Sequence, residues 1–383
     1  MIDGIIDLSL VRAFLEPRHL ELAENIAAFA ARELSGPHPV DDGEARGRAA
    51  EICRSLGSEG WLDSIRVQDF RACCVTREVL GAASPLADAI FALQALGSTP
   101  IALAGSDEQR AAWLEPALSG EAVAAFAMTE SGAGSDVAAI ATTARREGDD
   151  YILDGEKTLI SNAGIADFYV LFATTDPEAG SRGLTAFIVP AEADGFRFVG
   201  PLVMSDPHPL GEIALEGCRL PATHRLGGEG EGFKLGMATL DRLRPTVGAA
   251  ACGMAARALE EATRHARQRR QFGRPLADFQ LVQEKLGRMA TDLAAARLLV
   301  YRAAWERDGG ADRTDTAAAM AKAFATEMAQ RVVDDAVQIV GGRGVLAEHP
   351  VDRLYRAVRA LRIYEGTTEI QRLIIARHLL EGP

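Results

Sequence analysis

The chain has 383 residues, 48% hydrophobic and 25% charged, ordinary values for a soluble globular protein with a substantial core. Its formal net charge of −13, from 41 basic and 54 acidic side chains, excludes nucleic acid as the main partner, because phosphate binding needs a basic surface. A small anionic ligand held by a local arginine cluster stays open.

The opening stretch carries Asp3 and Asp7 and lacks the basic-then-apolar order of a signal peptide. Residues up to about Gly120 read as helices. From His19 to Leu34, Leu22, Ile26, Phe29 and Ala30 share one face, and Ala49 to Leu56 and Cys74 to Leu80 behave similarly. Phe91 to Ile101 is apolar enough to line a pocket, yet no apolar run approaches the ~20 residues that span a bilayer, so no membrane partner is expected. Asp107 to Leu114 predicts a short helix ending before Gly120.

The pattern changes at Glu121. Val123–Thr129, Tyr151–Leu153, Phe168–Ala173, Leu184–Val189 and Glu212–Leu215 are short apolar runs separated by turn-forming clusters, which predicts a small β-domain over 121–230. Within it, Thr129-Glu130-Ser131-Gly132-Ala133-Gly134-Ser135 combines small residues with hydroxyls, suited to a flat ligand with a polar edge. By itself it also reads as a glycine-rich turn, and it lacks the third glycine of a dinucleotide fingerprint.

From Phe233 the helical period returns. Val282, Leu286, Met289, Leu293, Ala296 and Val300 form one series, and Met320, Phe324, Met328, Val332 and Val337 another, as in an antiparallel bundle. Arg267 to Leu276 sets four arginines around Phe272, a pattern suited to a pyrophosphate or to a solvated helix end. Gln338-Ile339-Val340-Gly341-Gly342 is a helix end where the backbone can be approached closely, or an ordinary glycine stop. Near the C-terminus, Tyr364-Glu365-Gly366 places a carboxylate between an aromatic ring and a glycine. Apolar neighbours raise a carboxyl pKa and make it a proton acceptor near neutrality. The same stretch could be a plain turn, with Thr368 capping the last helix and Gln371 completing a capping box.

The five cysteines show no CxxC spacing, and adjacent Cys73 and Cys74 suit no scaffold disulfide, so reduced thiols in a cytoplasm are expected. The seven histidines are scattered without HExxH, and no metal site is expected.

These four motifs, in this order, resemble the acyl-CoA dehydrogenase family of flavoenzymes along nearly the whole chain. The resemblance implies a mostly α fold in three parts: an N-terminal helical domain (1–120), a β-barrel-like middle domain (121–230) and a C-terminal four-helix bundle (231–383). It implies FAD, contacted by Phe126, Met128, Thr129, Gly134, Ser135, Ile160 and Ser161. Arg269, Phe272, Phe279, Gln280, Gln338, Gly341 and Gly342 match positions reaching the flavin of a neighbouring subunit, and Thr367 and Glu369 follow the catalytic turn. Ser135, Asp241 and Arg244 match contacts to an acyl thioester, carried on CoA or an acyl carrier protein. Glu365 matches the general base that takes the α proton while flavin N5 accepts the β hydride. An electron-transferring flavoprotein partner and a homodimer or homotetramer follow from the same likeness. An oxidase or other flavin chemistry on this fold, and a non-catalytic flavin-binding scaffold, are the alternatives. Three departures stand out: Leu159 where the family often has tryptophan, Ser131 in place of a frequent proline, and Met204 to Leu210 without the usual Gly-Ile-Arg. Leu243 occupies the position where some relatives carry their base, and leucine cannot serve.

Overall fold

The computed structural model describes residues 6–311 and 314–381; Asp3 and the outermost ends of the first and last expected domains lie outside them. Helices α1 (Pro17–Glu33), α2 (Asp42–Ser58), α3 (Phe70–Ala83) and α4 (Pro85–Ala104) come first. Ser106 caps an irregular helical stretch from Asp107 to Ser119, which stops at Gly120 with a left-handed φ of 77°. Strands β1 (Ala124–Ala127), β2 (Thr143–Glu147), β3 (Asp150–Ser161), β4 (Phe168–Thr174), β5 (Leu184–Pro190), β6 (Phe196–Pro201), β7 (Leu210–Pro221) and β8 (Arg225–Leu226) follow. The chain then returns to helix in α5 (Gly232–Gln268), α6 (Gln280–Asp308), α7 (Asp315–Val340), α8 (Pro350–Leu361) and α9 (Thr368–Glu381). The order of helices, then sheet, then helices is the one the sequence predicts.

By contact the chain divides into two compact units. One contains Met1–Pro37, Asp69–Asp88 and Asp241–Pro383; the other contains His38–Gln68 and Ala89–Leu240.

In the second unit the strands form one sheet in the order β6-β7-β3-β2-β4-β5-β8, with β1 added parallel to β4. β4 is buried at every position, as befits a strand covered on both faces, whereas β6 is an exposed edge. β3 pairs with β7 through two register shifts, between Leu153 and Gly155 and between Lys157 and Ile160. The second shift places Leu159 at a positive φ of 56° and redirects the end of the strand. Gln94 of α4 is fully buried; its amide donates to the Ala117 and Ala122 carbonyls and accepts from the Ala124 amide, tying the helix to the start of β1.

α4 corrects one sequence expectation. Its 20 residues are long and apolar enough to cross a membrane by length and composition. Asp88, Gln94 and Pro100 interrupt the run and hide this in the sequence. Most of the helix is buried in the protein, as in a core helix, and Phe91 to Ile101 is part of that burial.

In the first unit, α3 packs on α1 and α6, and α7 packs on α6, α8 and α9. Asp69 accepts from the Ala72 amide at 3.0 Å to cap α3, and it also holds the His19 ring of α1 at 3.1 Å. α3 and α5 meet at backbone distance: a Cβ on Gly253 would lie 1.9 Å from the Glu78 carbonyl oxygen. The fully buried Glu78 carboxylate accepts from Arg297 and Tyr301, each at 2.7 Å, so the charge in this core is paired.

Candidate active site

The turn between α8 and α9 carries Glu365. Its φ is 53° and that of Gly366 is 89°, two successive left-handed residues. A Cβ on Gly366 would sit 2.5 Å from Gln371 Nε2, so a glycine is required on two counts. The capping expected at this turn does not form. The Thr367 hydroxyl, not that of Thr368, accepts from the Ile370 amide at 3.3 Å. The Thr368 hydroxyl instead donates to Glu327 at 2.9 Å, and the buried Gln371 side chain turns back to the Gly366 carbonyl, also at 2.9 Å. The strained turn needs its carbonyls bonded more than the helix needs a second cap.

Glu365 as a residue is only half-buried, but its carboxyl end is not exposed: Oε2 is buried and has no hydrogen-bond partner. Burial pushes the carboxyl above the usual carboxylate range; the cations Arg77, Lys322 and Arg244 oppose this and Asp88 reinforces it. A buried carboxyl that is both perturbed and unpartnered marks a candidate functional group. Among the described residues the Glu365 amide has no acceptor, which leaves an N–H free beside the carboxyl.

Arg77 is fully buried and bidentate to Asp88 at 2.8 and 3.0 Å, with a third bond to Thr246 at 3.0 Å. Arg244, also buried, pairs with Asp241 and reaches the Glu365 carbonyl at 3.4 Å. Asp241 and Arg244 are therefore brought to Glu365. Lys322 donates to the Gly366 carbonyl at 2.6 Å. Leu243 is buried at 2% exposure and offers no acceptor. Thr367 is half-buried, and Glu369 is exposed at the start of α9.

In the sheet unit the residues from Thr129 to Ser135 form a tight turn in which Glu130 and Ala133 exchange backbone bonds, both of 3.1 Å. Phe126 packs tilted against Phe172 with centroids 5.0 Å apart, Met128 is buried, and Gly134 and Ser135 are exposed. A Cβ on Gly132 or Gly134 would meet no heavy atom within 4 Å. The turn is anchored from below by a buried pair: Lys157 Nζ reaches Glu130 at 2.7 Å and the Met128 carbonyl at 3.3 Å. Burial lowers Lys157 to about 8; burial also raises Glu130, but Lys157, Thr142 and the Ala141 amide outweigh it and leave that carboxyl low. The Thr158 amide donates to the Thr129 carbonyl at 3.1 Å and so joins Ile160 and Ser161 to this turn. Ile160 is buried, and the Ser161 hydroxyl meets His208 Nε2 at 3.2 Å. The segment that lacks Gly-Ile-Arg thus supplies a histidine to Ser161. Leu159 stands 57% exposed, and Ser131 is exposed in the turn.

The arginine-rich stretch is a two-stranded hairpin, Arg270–Gln271 against Arg274–Pro275. Phe272 is 92% exposed at its tip, T-shaped against Phe279 at 6.2 Å, and the Arg274 guanidinium lies 4.1 Å from the Phe279 centroid. Gln280 opens α6 and is exposed, as are Arg269 and, at the end of α7, Gln338, Gly341 and Gly342. Burial lowers the His265 ring, and the positive charges of Arg269, His349, Arg343 and Arg264 lower it further, so a cationic cluster surrounds it. Among the described residues no hydrogen bond or ion pair links this group to Glu365.

Three family models match in sequence order: the acyl-CoA dehydrogenase N-terminal domain over residues 16–121, the middle domain over 125–218 and the C-terminal domain over 230–380. The butyryl-CoA dehydrogenase structure from Megasphaera elsdenii superposes with a TM-score of 0.88 at 31% identity, covering 96% of this chain and 99% of that one. The chain belongs to the acyl-CoA dehydrogenase family. A 3-(aryl)acrylate reductase of Clostridium sporogenes is 45% identical over 82% of this chain and 84% of its own length. A solved FAD complex of PigA aligns with a TM-score of 0.86 at 28% identity, over 96% of this chain and 99% of that one.

The family cofactor is FAD, and the residues present fit it. In the sheet unit the open Gly132–Gly134 turn admits a flat ring and Thr129 and Ser135 offer hydroxyls; in the helical unit, taken by itself, the cluster around Arg269 and Arg343 suits a pyrophosphate and Glu365 Oε2 has no hydrogen-bond partner. Among the described residues no group of three or more His, Cys, Asp or Glu could hold a metal. Lys157, Lys322 and Arg77 escaped the sequence reading. Lys322 is a charged residue inside an apolar run, Ala-Met-Ala-Lys322-Ala-Phe-Ala, and that placement was an available signal; Arg77 beside Glu78 and Lys157 beside Glu156 carry none.

Proposed function

We propose that the protein interconverts a saturated acyl thioester and its α,β-unsaturated form with FAD, and that Glu365 handles the α proton. The observation that carries this is the Glu365 carboxyl: raised by burial, with a partnerless Oε2, on a turn held by bonds to its carbonyls. When bound, FAD supplies the acceptor for the β hydride. The residues we assign to it are Phe126, Met128, Thr129, Gly134, Ser135, Ile160 and Ser161, with Thr367 and Glu369 after the base. Arg269, Phe272, Phe279, Gln280, Gln338, Gly341 and Gly342 we assign to the flavin of a partner subunit.

Glu365 takes the α proton, which is acidic because the enolate spreads its charge onto the thioester oxygen. The free Glu365 amide is the chain's own donor for that oxygen. Asp241, Arg244 and Ser135 are assigned to the thioester or its carrier; the Asp241 pairing fixes the Arg244 guanidinium. The three-part division 1–120, 121–230 and 231–383 is the organisation we propose. All five cysteines are buried thiols outside any disulfide, which favours a cytoplasmic setting, with an electron-transferring flavoprotein as redox partner.

A second reading concerns direction. The 45% identical arylacrylate reductase favours reduction of a 3-aryl-substituted unsaturated acyl group, with Glu365 returning the α proton. The same groups serve both directions by microscopic reversibility. The test is anaerobic: flavin colour bleached by saturated thioesters marks dehydrogenation, and recovery of the reduced enzyme's colour on adding an arylacryloyl thioester marks reduction. An enzyme whose flavin responds to neither would sink the proposal, and rapid reoxidation by oxygen would favour an oxidase.

A further inference from the structure

Lys322 lies in the middle of α7, fully buried, where an ammonium is costly to keep without a partner. Among the described residues it forms no ion pair. Its Nζ instead donates to the Gly366 carbonyl at 2.6 Å, where Gln371 Nε2 also donates at 2.9 Å. That carbonyl follows directly on Glu365, whose left-handed conformation the backbone alone disfavours in a non-glycine residue. We propose that Lys322 is the positioning residue of the proton-accepting turn: it fixes the Gly366 carbonyl, and with it the Glu365 carboxyl, and supplies the positive charge against which the Glu365 carboxylate forms.

The neighbouring charges single Lys322 out. Glu365 faces Arg77 from α3, Asp88 from α4, Arg244 from α5 and Lys322 from α7, with Tyr364 beside it. Arg77 exerts the largest pull of the three cations, but Asp88 is clamped to it and pulls the other way. Arg244 is paired with Asp241. Lys322 faces Glu365, Arg244, Glu327 and Glu369; Glu327 is occupied by Arg362 and Thr368, and Glu369 is exposed. The uncompensated charge at the turn is therefore that of Lys322. Burial lowers Lys322 to about 8, so it is mostly charged at pH 7 and loses its proton above pH 8.

This deepens the reading of Glu365 as the base and rests on it, so the test separates the two. The Glu365 carboxyl is titrated in the FAD-loaded enzyme by infrared difference spectra, its band identified by loss in Glu365→Gln. Lys322→Gln is expected to raise the midpoint by about one pH unit, the lower end of the effect of one close charge on a carboxylate. The acid limb of kcat/KM moves with it, while Lys322→Arg stays near wild type. In the wild-type protein, which needs no variant to fold, the carboxylate band shifts again near pH 8 as the lysine discharges. An unmoved midpoint in folded Lys322→Gln, or no second shift in the wild type, overturns the proposal. A moved midpoint together with normal turnover in Glu365→Gln would instead reject Glu365 as the base and leave the Lys322 contact standing.

Discussion

A glutamate at φ 53° costs about 1–2 kcal/mol relative to an ordinary backbone. Side-chain bonds to the Glu365 and Gly366 carbonyls offset that strain and hold the carboxyl in one direction. Glu365→Gln keeps the shape and removes proton acceptance; turnover is expected to fall ~10²-fold or more, with FAD retained. Steady-state rates and flavin absorbance of the purified variant check both halves. Gly366→Ala is expected to lower the melting temperature and the turnover together, because the new Cβ would lie 2.5 Å from Gln371 Nε2 at a φ of 89°. Calorimetry that finds the variant as stable as wild type would contradict this. The aromatic-Glu-Gly order made Glu365 legible in the sequence. Its supporting charges were not, because Arg77 and Lys322 are distant in the chain and meet the turn only through packing.

β3 shows what an element adds. Its second register shift lets Leu159 take positive φ while Lys157, on the same strand, points into the core toward Glu130. Lys157→Met would leave the Glu130 carboxylate buried without its cation, a loss of about 3–5 kcal/mol. The expected result is a lower melting temperature and weaker FAD retention, read by calorimetry and by flavin released on dilution. The apolar strands β1, β4, β5 and β7 were legible as runs, but β2, β6 and β8 were not. β2 exposes Arg145, Arg146 and Glu147, β6 is an exposed edge, and β8 has two residues, so none shows an apolar signature. The bulges of β3 leave no sequence signal either, since they follow from pairing with β7.

For the whole molecule, the order of parts and the helical periods were legible because long amphipathic helices repeat their signal many times. Which segments group by contact was not: residues 38–68 join the sheet unit and 69–88 the helical unit. One consequence concerns pH. Part of His208 reaches the surface, but its ring is enclosed and burial lowers it to about 4. A histidine whose folded pKa is depressed favours folding while neutral, so its contribution is lost as pH falls from about 6.5 through 4. The melting temperature should drop across that window, and less steeply in His208→Gln; equal slopes would contradict the assignment. A second consequence concerns assembly. Phe272 at 92% exposure and Leu380 at 87% are apolar groups left open on a single chain, and Arg269 stands beside the first. Light scattering should find a dimer or tetramer, and Arg269→Ala should loosen FAD by removing a charge-assisted contact of about 1.5–3 kcal/mol. A monomer that holds FAD tightly would contradict the shared-site account.

The most direct measurement mixes FAD-loaded protein with a panel of saturated acyl thioesters, 3-aryl chains included, without oxygen, and follows flavin absorbance in a stopped-flow cell. Rapid bleaching by at least one thioester in the wild type, slowed ~10²-fold or more in Glu365→Gln, is the expected result. A flavin that no thioester bleaches in the wild type, or one that bleaches equally fast in the variant, would contradict the assignment of Glu365 as the group that takes the α proton.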